Sequence, residues 1–287
     1  MIKEKINRKR LALLNELSLK VNSSFFYDKF YNNAVDGELG KLYEKDNIIC
    51  SMTTIPARIQ FVKYPILSAL HQTVRPHKII LYLGKELFSG HTIPPELIDL
   101  QKYGLEIKYV EDKMVHTKYY YAFLEHKDSL VITIDDDILY NKDLFEIMIK
   151  KHIKYPKAVI CSRAHGASYA GSTINPYMKW DWNVKSRKPD MRLVATGVGS
   201  VLYEPRLFNI SPCQEDVFLK LSPNNDDLWL KAIEYVNEIP VYALPGRHWY
   251  TEIRDSQKVS LNSSNVHKNR NDEYISNLIK YFDIKPF

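Results

Sequence analysis

From Asn47 onward, short apolar runs alternate with longer amphipathic segments, and this alternation narrows the folds open to the chain more than any other feature. The runs Asn47 to Met52, Lys78 to Leu83, Glu106 to Val110, Leu130 to Ile134 and Ala158 to Ser162 are predicted strands. Between the first two, Ile59, Val62, Ile66, Leu67 and Leu70 recur at helical spacing and close before Arg75-Pro76. Lys118 to His126 predicts a second helix, and the residues from Leu144 to about Tyr155 a third. Strand, helix, strand, loop, strand, helix, strand, helix, strand is the order of an α/β protein with a mostly parallel, doubly wound (Rossmann-like) central sheet flanked by helices. Such sheets bind ligands at the carboxyl ends of their strands.

With 287 residues, 45% hydrophobic and 26% charged, the chain can bury a sizeable core, which excludes disordered and collagen-like classes. No apolar stretch reaches the roughly 18 to 20 residues that span a bilayer, and the N-terminus lacks the apolar core of a signal peptide. Cys50, Cys161 and Cys213 lie far apart without C-x-x-C spacing, which suggests neither a zinc cage nor a disulfide framework. Cys50 and Cys161, each ending an apolar run, are expected to be small buried hydrophobes, and a reducing cytoplasm is expected. The net charge of +6 favours anionic ligands or surfaces, and no nucleic-acid partner is expected.

Three regions are expected: a helical extension over 1–45, a main domain over 46–250 and a tail with a closing helix over 251–287. Within the main domain, 46–163 forms one half and 164–250 the other. In residues 1–24, Leu11, Leu14, Leu17 and Val21 make an apolar stripe opposite Lys3, Lys5, Arg8, Lys9, Arg10 and Lys20. That helix either contacts the anionic inner face of the cell membrane or packs on its own domain or on the second subunit of a homodimer. From Ala164 to Arg192 the chain is aromatic and aperiodic, a candidate lid. A helix from about Asn225 to Val236 and a strand at Pro240 to Ala243 follow.

The densest chemical signal is Leu130-Val131-Ile132-Thr133-Ile134-Asp135-Asp136-Asp137. An apolar strand delivers three adjacent carboxylates to its carboxyl end, where mutual repulsion calls for a compensating cation. A divalent ion with hard oxygen ligands, Mg²⁺ or Mn²⁺, meets that need and bridges a carboxylate to nucleotide phosphates. The bland alternative is an acidic turn capping the next helix through Asp137 or Asn141. Asp226-Asp227, after Pro223-Asn224-Asn225, is either a helix cap or a carboxylate aimed at an acceptor hydroxyl as general base.

Ser51-Met52-Thr53-Thr54-Ile55-Pro56-Ala57-Arg58, the Asp135 to Asp137 triplet, the Gly197 to Tyr203 stretch and Asp226-Asp227-Leu228-Trp229 together resemble a GT-A fold glycosyltransferase. The nearest relatives by these motifs are bacterial family 2-like enzymes that build surface polysaccharides, and the resemblance runs from about Asn47 to Trp249. It implies a nucleoside diphosphate sugar donor, UDP-sugar favoured, and a glycan or lipid-linked glycan acceptor. Thr53, Thr54 and Arg58 would sit by the nucleotide, with Asp135 near ribose or sugar and Asp136 among the donor-binding residues. Asp137, with Asp135, would hold the metal. Asp227 matches the last acid of the Glu-Asp pair that serves such inverting enzymes as base, and Asp226 replaces the Glu. The second strand, Leu81-Tyr82-Leu83-Gly84-Lys85, lacks the acid that many relatives carry there.

Lys118, at the start of its helix, is either a phosphate-neutralising cation or a surface lysine. His248 and His267 are the other candidate metal ligands, with His267 the late histidine that completes a GT-A metal shell, and Arg247 is a candidate for the leaving diphosphate. Trp180, Trp182, Tyr169 and Tyr177 offer flat faces to a sugar, and Gly197 and Gly199 allow its close approach to the backbone. Asp226 joins this acceptor side. Two other functions compete: a metal-dependent nucleotidyltransferase or phosphohydrolase, and a non-catalytic carbohydrate-binding protein with a transferase fold. Neither a Gly-rich pyrophosphorylase loop nor a Walker sequence occurs.

Overall fold

The computed structural model describes residues 39–43, 47–246, 249–253 and 270–285. The predicted helix over 1–24, with its membrane or subunit contact, lies outside them, as do Arg247, His248 and His267.

The predicted strands form nearly residue for residue. In chain order the elements are β1 (Ile48–Thr53), α1 (Lys63–Leu70), β2 (Lys78–Gly84), α2 (Pro95–Leu100), β3 (Leu105–Val110), α3 (Thr117–Glu125), β4 (Leu130–Thr133), β5 (Ile138–Tyr140), α4 (Leu144–Lys154) and β6 (Val159–Cys161). Then come β7 (Ala164–Gly166), β8 (Leu193–Ala195), β9 (Val201–Tyr203), α5 (Glu215–Leu221), α6 (Asp226–Val236), β10 (Val241–Ala243), β11 (Tyr250–Glu252) and α7 (Arg270–Phe282).

The segment between β2 and β3, expected as a loop, carries the short helix α2. It begins with Pro95, whose missing N–H is no loss in a first turn, and it buries Leu97 and Leu100. The expected lid also has structure. β7 pairs antiparallel with β8, and Tyr169–Ala170 pairs with Thr173–Ile174 as a small hairpin.

One sheet of seven strands, in the order β10-β6-β9-β4-β1-β2-β3, forms the centre. All neighbours run parallel except β9, which is antiparallel to both β4 and β6. This is the mostly parallel α/β architecture expected. Strands from both proposed halves share the sheet, because β9 enters between β4 and β6.

Both faces are covered, which explains why the strands read as continuous apolar runs rather than alternating ones. Ile48, Cys50 and Met52 of β1 face α1 and α4 with Ile66, Leu67, Phe145 and Met148. Ile49 joins Ile80, Tyr82, Tyr119, Phe123 and Trp229 on the other side. Cys50 and Cys161 are buried free thiols, as their places at the ends of apolar runs suggested.

Candidate active site

β1 and β4 lie side by side, and the chain goes from β1 toward β2 and β3 on one side, while β4 lies on the other. A cleft therefore opens at their carboxyl ends, where the sheet's winding reverses. A cavity of about 820 Å³ occupies it, and Thr54, Arg58, Lys118, Asp135, Gly197 and Asp227 are among the residues on its wall.

The acidic triplet splits three ways. Asp136 turns inward, accepting from the Thr54 hydroxyl at 2.6 Å and from Arg58 Nη1 at 2.7 Å. The same guanidinium reaches Asp137 Oδ2 at 3.2 Å. Burial raises the Asp136 pKa, and Arg58 and Thr54 only partly offset it. Burial likewise opposes the charge on Arg58, but Asp136 and Asp137 outweigh it and raise its pKa.

Thr54 and Arg58, expected beside the nucleotide, thus also hold the acidic turn through Asp136, and all three line the cavity. Thr53 donates its hydroxyl to the Tyr82 carbonyl at 2.9 Å. Repulsion within the triplet is relieved by cations of the chain itself, so it does not by itself require a metal.

Asp135 pairs with Lys118 at 3.0 Å, and Lys118 also reaches Asp226 Oδ2 at 3.1 Å. Lys118 is not a surface lysine, and it lines the cavity. Its side chain is only 12% exposed and its charge is committed to two carboxylates, one from β4 and one from α6. Burial opposes that charge, yet Asp135, Asp226 and Asp227 together raise its pKa well above the ordinary lysine value.

The cap at the start of α6 is Asn225, whose side-chain oxygen accepts from the Leu228 N–H at 2.9 Å. Asp227 is therefore not the capping residue. Its Oδ1 accepts from the Gly197 N–H at 2.8 Å. Burial first, then the neighbouring charge of Asp226, pushes its pKa up to about 7, against the pull of Lys118 and the Gly197 N–H. A side chain at Gly197 would crowd this pairing. A Cβ there would lie 2.5 Å from Lys118 Nζ and 3.3 Å from Asp227 Oδ1.

Tyr177, Trp182 and His165 also line the cavity. Trp182 is 42% exposed, with its ring centroid 5.6 Å from Tyr177 and 4.4 Å from His165. Trp180 is not part of this surface. It is 3% exposed, because its indole N–H donates to the Asn175 carbonyl at 2.9 Å and draws the ring inside. Gly199 is also not on the wall. It takes φ +102, and a Cβ there would meet Ser162 Oγ at 2.4 Å and the Tyr250 ring at 2.6 Å, so it serves a tight turn into β9.

Arg163, His165, Asn183 and Tyr250 also line the cavity and went unnoticed in the sequence. A signal for Arg163 was present: it directly follows a predicted strand, at the end where such sheets bind ligands.

Among the described residues, no three His, Cys, Asp or Glu side chains converge as a metal cage. Asp135 and Asp137 fit a different mode, in which Mg²⁺ takes one or two carboxylates and completes its shell with substrate phosphates and water.

Fold and site together define a doubly wound α/β protein with a cleft at its switch point, lined by paired acids and bases and by aromatic rings. No protein family and no curated protein matches the chain. It is similar to the crystal structure of S. aureus TarS, with 12% identity and a TM-score of 0.47, over 79% of this chain and 39% of that one. It thus spans well under half of that TarS chain. S. aureus TarS 1-349 in complex with UDP is similar at 14% identity and a TM-score of 0.46, over 83% of this chain and 72% of that one. A putative glucose-1-phosphate thymidylyltransferase from Bacillus anthracis is similar at 12% identity and a TM-score of 0.41, over 78% of this chain and 95% of that one. Similarity this distant assigns neither a family nor an activity. Among the described residues, no helix is long and apolar enough to cross a membrane.

Proposed function

We propose that the protein is a GT-A-type glycosyltransferase that moves a sugar from a nucleoside diphosphate donor to a hydroxyl of a glycan or lipid-linked glycan acceptor, in surface polysaccharide biosynthesis at the inner face of the cell membrane. The observation that carries this reading is the joining of two acidic groups in one cleft. The Asp135 to Asp137 turn at the end of β4 and Asp227 at the start of α6 meet across Lys118.

The donor lies over the ends of β1 and β4, beside Asp135 and Asp137. Asp135 and Asp137 would hold Mn²⁺ or Mg²⁺ there, and the bound ion would supply charge neutralisation for the leaving diphosphate. Asp227 takes the proton of the acceptor hydroxyl as its oxygen bonds to the anomeric carbon, and the carbon–oxygen bond to the diphosphate breaks with its electron pair. A carboxylate with a pKa of about 7 suits this task, since about half of it is ionised at neutrality and it is basic enough to accept a proton. Direct displacement inverts the anomeric configuration.

A panel of nucleotide sugars, beginning with UDP-GlcNAc, tests the reading. The expected product is a nucleoside diphosphate, with release lost in EDTA and restored by Mn²⁺. Release of a nucleoside monophosphate with the sugar phosphate would instead select the phosphohydrolase reading, formation of a nucleoside triphosphate and sugar 1-phosphate on adding pyrophosphate the nucleotidyltransferase reading, and binding without turnover the carbohydrate-binding one.

Trp182 supplies the acceptor platform. Replacing it with Ala should raise acceptor KM by about two- to tenfold with donor KM unchanged, the size of a lost ring contact. An effect confined to donor KM would place the ring on the wrong substrate.

A further inference from the structure

Three cationic side chains line the cavity wall, and two are already committed. Arg58 is held by Asp136 and Asp137, and Lys118 by Asp135 and Asp226. Arg163 makes no ion pair among the described residues, although Glu252 lines the same cavity.

The residue leaves the carboxyl end of β6, which β4 and β9 separate from β1 and its Thr53. Its backbone is fixed by the Thr196 N–H, which donates to the Arg163 carbonyl at 3.1 Å. Its Nε–H donates to Asn183 Oδ1 at 2.7 Å, and the terminal nitrogens meet no acceptor among the described residues. Asn183 is itself locked in place, with φ +56 and its N–H donating to His165 Nδ1 at 3.3 Å.

That last bond leaves the His165 proton on Nε2, so the ring is a neutral donor. Burial, reinforced by Arg163, lowers its pKa to about 3 and keeps it neutral. An oriented guanidinium with two unused nitrogens, a neutral imidazole donor and an exposed indole stand together on the wall assigned to the acceptor. A guanidinium fork matches the paired oxygens of phosphate or carboxylate. A neutral sugar hydroxyl gives no use for its charge.

We infer that Arg163 is the anion-recognition residue of the acceptor subsite, so that the acceptor bears a phosphate or carboxylate group close to its reactive hydroxyl. This rests on reading the cleft as a transferase site with Trp182 on the acceptor side.

The test uses sn-glycerol 3-phosphate, glucuronate and neutral methyl glucoside as probes of the full chain. Binding is measured by calorimetry and by the NMR signal of the Arg163 Nε–H, with UDP affinity measured on the same samples. At least one anion should bind and shift that signal, and which one binds distinguishes a phosphate-bearing from a uronic-acid acceptor. Arg163→Met should weaken the anion by about ten- to a hundredfold, the size of a lost charge-assisted hydrogen bond, with UDP affinity unchanged. Arg163→Lys, which keeps the charge but not the fork, should recover part of the loss.

Anion affinity unchanged in Arg163→Met, methyl glucoside binding as well as the anions, or no anion binding to the wild type would each overturn the inference. Loss of UDP affinity in Arg163→Met would also overturn it, by moving Arg163 to the donor diphosphate. If UDP and every donor fail to bind the wild type while Arg163-dependent anion binding persists, the transferase reading falls and the anion site stands.

Discussion

Replacing Asp227 with Asn should cut kcat by about 10² to 10⁴ while leaving donor affinity nearly intact, because the amide cannot take the acceptor's proton. Its oxygen can still accept from the Gly197 N–H, and Asn225 still caps α6, so the fold is not what is being tested. The wild-type rate should rise with pH through about 7, where Asp227 ionises, and that limb should be absent from the residual activity of the variant. Stability should move the opposite way to activity. A carboxyl whose pKa is raised on folding favours the native state below its unfolded value of about 4, and that contribution is lost as pH rises toward 7. Asp227→Asn should therefore unfold at higher urea than the wild type at pH 8, and the gap should narrow at pH 5. Full activity in the variant, or product retaining the donor's anomeric configuration, would remove Asp227 from the role of base.

Lys118→Met should lose about 3 to 5 kcal/mol of stability, the cost of removing one partner from a buried ion pair. The methionine fills similar space but leaves Asp135 and Asp226 without their shared cation. Arginine should not substitute. The space around Nζ is so close that even a Cβ on Gly197 would come within 2.5 Å, and a guanidinium is broader than an ammonium. Lys118 also holds down the pKa of Asp227, so in whatever fraction of Lys118→Met folds, the rising limb of the rate profile should shift to higher pH. Urea unfolding and a pH–rate profile report the two effects separately. Wild-type stability in Lys118→Met would mean that the cross-cleft pairing contributes little to the fold.

The sheet was legible in the sequence because local information suffices for it. Strands covered on both faces must be apolar throughout, so β1, β2, β4 and β6 appear as uninterrupted runs, and the helices between them show their own spacing. The same reasoning placed Asp135 to Asp137 at a strand's carboxyl end, in the ligand cleft. Short elements were missed: β5 has three residues and α2 six, too few to show a period. Closely spaced residues also parted company. Trp180 and Trp182 read alike, yet a hydrogen bond to Asn175 buries one while the other stays open.

Sequence by itself determined the fold class, the main strands up to β6 along the chain and the acidic cluster at a strand's carboxyl end. Only the tertiary structure decided how the acids are used. Arg58 meets Asp136 across 78 positions, and Lys118 joins Asp135 to an acid from the other half of the chain. Such pairings depend on which strands become neighbours and where each side chain then ends, and no local pattern encodes either. The same holds for Arg163: its place after a predicted strand marks it, but only the folded cleft leaves it without a carboxylate among the described residues.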